Sequence, residues 1–267
     1  MTLHYEKKDK IAWLTIDRPA SHNSLDPDTI IAMLEAWEDY RDDPDCLCAI
    51  VTGVGYKAFC SGMDLDAVIP IMTGSRSPSN AAEQKLAERP EIIDQATLRN
   101  FELYKPVIAA VNGFAIAAGM EIVQATDIRI ASGNAKFGLQ EAKWGLFPLG
   151  GSTVRLPRQI PYSMAMELML TGELIDSREA ERIGFINRVV RQENLLDEAE
   201  RIARSIVRNG PLAVRRIKES VLRCSGLSIE AGLAQEQILG REVFNSKDAK
   251  EGPRAFMEKR EPRFTGK

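Results

Sequence analysis

Five consecutive apolar residues, Val107-Ile108-Ala109-Ala110-Val111, stop at Asn112-Gly113, and no other stretch limits the fold so tightly. A strand wetted on one face alternates apolar with polar residues. An unbroken apolar run this short reads instead as a strand buried on both faces, with a packed layer on each side. Leu47 to Thr52, closed by Gly53, repeats the pattern. After Gly113, small residues lead into a helix from about Ala117 to Ala125, and Asp127 to Ala131 alternates into a further strand. Recurring strand, loop and helix predict an α/β fold with strands in buried layers.

The flanks carry their own signals. Leu3 to Lys7 and Ile11 to Asp17 surround Lys8-Asp9-Lys10 and predict a β-hairpin. Asp26-Pro27 is an N-cap followed by proline at the first helical position, opening a helix through about Tyr40. Pro70 to Pro90 is rich in Ser, Gly, Pro and charge and reads as a mobile loop or the flank of a lid, after which Ile92 to Tyr104 returns to helical spacing. Beyond about Leu195 only helical patterns remain: Leu195–Arg208, Leu212–Cys224, Ile229–Phe244 and Ala249–Lys259. Too thin to hold a core of its own, this tail is expected to pack on the main domain or on a neighbouring subunit. The organisation read here is therefore residues 1–195 as the core and 196–267 as a helical region.

Composition excludes several classes of function. With 44% hydrophobic and 27% charged residues, the chain has the balance of an ordinary globule. A net charge of −3 without a basic face argues against nucleic acid as the main partner. No apolar run is long enough to span a bilayer, and the polar start lacks a secretory signal, so a cytoplasmic location is expected. Four cysteines (Cys46, Cys48, Cys60, Cys224) show no zinc spacing; free thiols and no metal site are expected. Histidine occurs only at His4 and His22, and no G-x-S-x-G elbow is present, so acid–base work falls to carboxylates.

Two carboxylates stand out. Glu121 falls in the first turn of the helix that opens at Ala117-Ala118-Gly119, and Glu141 follows Phe137-Gly138 and precedes Trp144-Gly145-Leu146-Phe147-Pro148-Leu149. A carboxylate beside apolar groups is desolvated and its pKa rises, and two in one pocket push their titrations apart. Glycine before Met63 lets backbone approach a ligand, and the unpaired first N–H groups of a helix favour developing negative charge. Each feature alone has a plainer reading, as a turn, a close helix packing or a surface glutamate. Together they describe two backbone donors aimed at one oxygen and two proton carriers beside it. Gly53-Val54-Gly55 lacks the third glycine of a dinucleotide site, and Cys60 reads as a buried inert thiol.

In this order the segments resemble the crotonase, or enoyl-CoA hydratase, superfamily, from about Tyr5 to Phe264. The resemblance is carried by Asp17-Arg18-Pro19 with Asn23, by Lys57 to Leu65, by Lys105 to Gly113 and by Phe137 to Glu141. It continues through Ala165 to Gly172, Glu251-Gly252 and Phe256 to Arg260. It implies a crotonase-like spiral of ββα units with a C-terminal helical trimerisation region, assembled as a homotrimer or as a hexamer built from two trimers. It implies an acyl-CoA thioester substrate, coenzyme A being part of that substrate and no separate cofactor being needed. The backbone N–H groups of Met63 and Ala118 would hold the thioester oxygen, with Glu121 and Glu141 as acid and base. Ala20, Ser21, His22, Ala58, Cys60, Asp64 and Leu65 would line the coenzyme A site, and Lys259 would reach it from a neighbouring subunit. Trp144, Phe147 and Leu149 would shape the acyl pocket.

Retaining both glutamates is similar to hydratases that add water to a short-chain 2-enoyl-CoA. A methylthioacryloyl-CoA hydratase-type reaction with thiol release, another acyl-CoA hydrolase, a Δ3-Δ2 isomerase and a scaffold binding CoA or RNA are the alternatives. Ala117-Ala118 stands where hydratases commonly have two glycines, which keeps the N–H but adds methyl groups and restricts φ at the donor. Leu149 stands where a glycine is common, and with Trp144 and Phe147 this points to a pocket altered for a short, branched or substituted acyl group.

Overall fold

The hairpin Leu3–Lys8 (β1) and Ile11–Ile16 (β2) starts a six-stranded sheet in a computed structural model that describes residues 2–267. Asp9 and Lys10, which turn it, both take positive φ, as a two-residue turn matched to the strand twist requires. From β2 the sheet continues in parallel through Cys48–Gly53 (β3), Val107–Val111 (β5), Ile128–Ser132 (β7) and Arg188–Val190 (β10). A second sheet takes the alternate strands: Ala58–Cys60 (β4), Phe114–Ile116 (β6), Lys136–Gly138 (β8) and the short antiparallel Ile175–Asp176 (β9). Each turn of chain thus leaves one strand in each sheet. This is the mixed α/β architecture with several C-terminal helices that the sequence predicts.

The apolar runs divide their residues by the two-residue period of a strand. Ala49, Val51, Val107, Ala109 and Val111 face the larger core, with the helix Pro27–Asp42. Cys48, Ile50, Ile108 and Ala110 face the other way, where Leu195, Ala199 and Ala203 of the helix Leu195–Val207 cover them. The first tail helix is therefore part of the fold's core. The helices Pro211–Cys224, Ile229–Phe244 and Lys247–Met257 instead leave Ile217, Val221, Ile238, Phe244 and Phe256 exposed.

Two segments depart from expectation. Between Pro70 and Pro90 the chain is not an open loop: a helical turn, Ile69–Met72, and the helix Ala81–Glu88 occupy most of it. Asn80 Oδ1 accepts from Glu83 N–H at 2.9 Å, and the buried Glu83 carboxylate accepts from Ser79 N–H at 2.7 Å and from Arg76. Asparagine three residues ahead of glutamate is a helix-start signal that competes with the loop-like composition, and here it wins. Downstream, the helix expected over Ile92 to Tyr104 is only Glu91–Ala96, because Leu98 and Asn100 enter the left-handed region (φ 58° and 52°).

Candidate active site

Three adjacent parallel strands, β4, β6 and β8, end side by side, with Cys60 paired to Ala115 and Ile116 to Gly138. The segments singled out in the sequence all follow these ends, at the carboxyl edge where open α/β sheets present ligand sites. Asn23 and Asn112 fix the first of them. Their Nδ2 groups donate to the same carbonyl, Ala58 O, at 2.7 and 3.0 Å.

After β4 the chain turns at Gly62 (φ 105°). Met63 forms a parallel bridge with Leu25: Leu25 N–H donates to Gly62 O (2.8 Å) and Asp64 N–H to Leu25 O (2.9 Å). A bridge of this kind uses the groups flanking Met63 and turns its own N–H to the opposite side. Ala118 begins the helix Ala118–Ala125, so its N–H has no intrahelical acceptor. Among the described residues neither N–H donates to a backbone carbonyl. The two segments touch: a Cβ built on Gly62 would lie 2.9 Å from Ala117 Cβ and 3.6 Å from Ala118 N. A Cβ on Gly119 would lie 2.0 Å from Cys60 O, so only glycine lets this helix sit so close to β4. Ala117, at φ 51° and ψ −124°, holds a conformation natural to glycine.

Glu121 is 4% exposed, on the inner side of that helix. Its Oε1 accepts from Ser152 Oγ–H at 3.0 Å and from Ser152 N–H at 3.4 Å. Burial raises its pKa above the ordinary glutamate value, opposed by the hydrogen bonds from Ser152 and by the nearby Arg155 charge. Glu141 opens the 3-10 turn Glu141–Trp144 after β8. Its Oε2 is buried and has no hydrogen-bond partner among the described residues. Burial, reinforced by the charge of Glu121, raises its pKa to about 7. The two carboxyls are thus neighbours with different environments: one held by donors from another segment, the other with a buried oxygen that finds none.

The remaining expected residues fall around this centre in different ways. Ala20 and Ser21, in the 3-10 turn Pro19–Ser21, and His22, which caps it, are exposed and tied to the β4 turn, where Ser61 N–H donates to His22 O at 3.2 Å. Ala58 and Cys60 are wholly inside, backbone included, so neither offers surface to a ligand in the single chain, and burial pushes the Cys60 thiol up to about 12. Leu65 is exposed. Burial would raise the Asp64 carboxyl, but Arg18 Nη2, at 3.1 Å, and two backbone N–H groups hold it below the usual range. Trp144, Phe147 and Leu149 are 68%, 61% and 50% exposed, so the single chain does not enclose them as an acyl pocket. Lys259, exposed beyond the last helix, has no side-chain partner among the described residues. Nor does any group of three His, Cys, Asp or Glu among those residues converge as a metal site.

Sequence reading missed the wall opposite Glu121. Gly150 packs on its carboxyl, Ser152 bonds it, and Arg155 anchors the strip by donating to Gly150 O (3.3 Å) and to Leu98 O (2.7 Å). The available signal was Gly150-Gly151-Ser152, small residues and a hydroxyl at a helix start, directly after the apolar run already under suspicion.

Comparison with known proteins adds an independent line. The sequence profile of the enoyl-CoA hydratase/isomerase family matches residues 6–267. The chain is 44% identical to enoyl-CoA hydratase EchA19 of Mycobacterium tuberculosis, over 97% of this chain and 94% of that protein. It is 37% identical to (E)-benzylidenesuccinyl-CoA hydratase of Thauera aromatica over the full length of both. Among solved structures, an enoyl-CoA hydratase from Bacillus anthracis superposes over the whole of both chains with a TM-score of 0.90 at 32% identity.

Proposed function

From the premise that the chain belongs to the enoyl-CoA hydratase/isomerase family, we propose that it adds water across the 2,3 double bond of a short-chain 2-enoyl-CoA. It is an enzyme of the enoyl-CoA hydratase type, a hydro-lyase. The observation that carries the specific reading is the asymmetry of the two glutamates. Glu121 is hydrogen-bonded as a carboxylate should be, whereas Glu141 keeps a buried oxygen without a partner and has a pKa of about 7, suited to holding a proton that it can give up.

In this mechanism a water lies between the two carboxyls. Glu121 takes its proton as hydroxyl adds at Cβ. Negative charge moves to the thioester oxygen, where the Met63 and Ala118 N–H groups stabilise the enolate; donors already oriented act most strongly on charge that develops only in the transition state. Glu141 delivers the proton to Cα. Ala20, Ser21, His22, Asp64 and Leu65 are proposed to meet coenzyme A, with the buried Ala58 and Cys60 behind them, and Trp144, Phe147 and Leu149 to border the acyl group. Apolar surface on the tail helices supports assembly as a homotrimer or hexamer, which would bring Lys259 to a neighbouring site.

The test is incubation of the purified protein with crotonyl-CoA, following loss of the enone absorbance and weighing the products. Gain of one water with CoA attached supports hydration. Release of free CoA without a hydrated thioester would replace it with thioester hydrolysis.

A further inference from the structure

Ser152 does more than fill the first position of its helix. Its Oγ lies 3.0 Å from Glu121 Oε1 and 3.0 Å from Gln124 Nε2, and all three side chains are buried. Glu121 and Gln124 stand one turn apart on the same helix, so Ser152 bridges neighbouring positions of one helical face. With the amide nitrogen of Gln124 turned to Ser152, the chemistry of the three groups sets the direction of the chain of hydrogen bonds. An amide nitrogen can only donate, so Ser152 Oγ must accept from Gln124, and its single proton is left for Glu121. The backbone around Gln124 is pinned as well, its carbonyl accepting from Gln159 Nε2 at 2.8 Å and Arg129 Nη2 at 3.0 Å.

We propose that Ser152, oriented by Gln124, is a positioning residue for Glu121: its hydroxyl proton is committed to Oε1, which keeps the carboxylate ionised and leaves Oε2 as the oxygen that takes the proton from water. The role assigned to Oε2 rests on the hydration reading above. The other charged groups facing Glu121 are Arg155, on the helix that carries Ser152, and Glu141, on the 3-10 turn; neither hydrogen-bonds it, and the Gly150 backbone acts in the same direction as Ser152. Turning the Gln124 amide over would place its carbonyl on Ser152 and draw the hydroxyl proton away from Glu121. The two arrangements therefore predict opposite consequences for the loss of the hydroxyl.

The experiment compares the wild type, Ser152→Ala and Gln124→Met in two readouts. One is the pH profile of kcat/KM for crotonyl-CoA. The other is a difference-infrared titration of the carboxyl bands, with the Glu121 band assigned by Glu121→Gln. A hydrogen bond to a charged acceptor is worth a factor of about ten or more, so Ser152→Ala should raise both the acid limb and the Glu121 titration by about one pH unit. A fall in kcat of roughly tenfold with KM within about twofold should accompany it, as expected for a misplaced base. Gln124→Met should shift both in the same direction by less. An unmoved Glu121 titration in Ser152→Ala overturns the proposal, whatever happens to thermal stability. The infrared readout needs no turnover, so failure of the wild type to hydrate crotonyl-CoA would count against the hydration reading alone.

Discussion

A methyl group on Gly150 would sit 2.3 Å from Glu121 Oε2 and 2.6 Å from its carboxyl carbon, closer than any real contact. Gly150 therefore fixes where the carboxylate of Glu121 can lie, although the two residues come from different parts of the chain. Gly150→Ala should displace that carboxylate and leave the rest of the fold in place. We expect kcat to fall by about 10²-fold, the scale on which small misplacements of reacting groups are felt. Kinetics together with circular dichroism check this; wild-type turnover in the folded variant would contradict the packing described.

Activity should follow a bell-shaped pH profile set jointly by the two glutamates. The proposed hydration needs Glu121 ionised and Glu141 protonated, and both are shifted upward, Glu141 to about 7. The rate should decline on the alkaline side as pH rises through about 7, and on the acid side at a pH above the ordinary glutamate range. Replacing Glu141 with Gln should remove the alkaline limb along with most of the activity.

The same shift has a sign for stability. Burial raises the Glu141 pKa, so the folded state holds a proton that the unfolded chain releases near pH 4.5. The neutral carboxyl carries no penalty below that pH, and stability is lost as pH climbs from there through about 7. Glu141→Gln should therefore stabilise the protein at pH 8, on the order of 2 kcal/mol, and change little at pH 4. Urea unfolding at the two pH values measures both; an equal effect at each would show that the group is not desolvated.

How far the sequence reached differs from element to element. The strand Val107–Val111 was legible because burial on both faces leaves no polar residue in the run, and the helix at Pro27 because Asp26 and proline are local signals. Glu121 and Glu141 were legible as candidates because each follows a turn of small residues. Ser152, Gly150 and Gln124 were not, since their meaning depends on a helix start being carried back against an earlier helix, a tertiary fact with no local mark. The stretch Ile92 to Tyr104 misled for the reverse reason. Its apolar spacing is helical, but Leu98 turns left-handed and its carbonyl is taken by Arg155.

Ala117 invites a simple stability test. An alanine at φ 51° and ψ −124° is strained by its own Cβ, and glycine would occupy the same backbone freely. The strain outweighs the extra freedom glycine gives the unfolded chain, so Ala117→Gly should raise the unfolding free energy by about 1 kcal/mol. A loss of stability in denaturant titration would mean that packing by the Ala117 methyl outweighs the backbone strain.

The most direct test of a two-carboxylate hydration is turnover of crotonyl-CoA in deuterium oxide by the wild type, Glu121→Gln and Glu141→Gln, with products resolved by mass and proton NMR. The expected result is a 3-hydroxyacyl thioester with CoA intact and one deuterium fixed at Cα, formed at least ~10²-fold more slowly by either variant. Free CoA as the sole product, or near-normal rates in both variants, would contradict it.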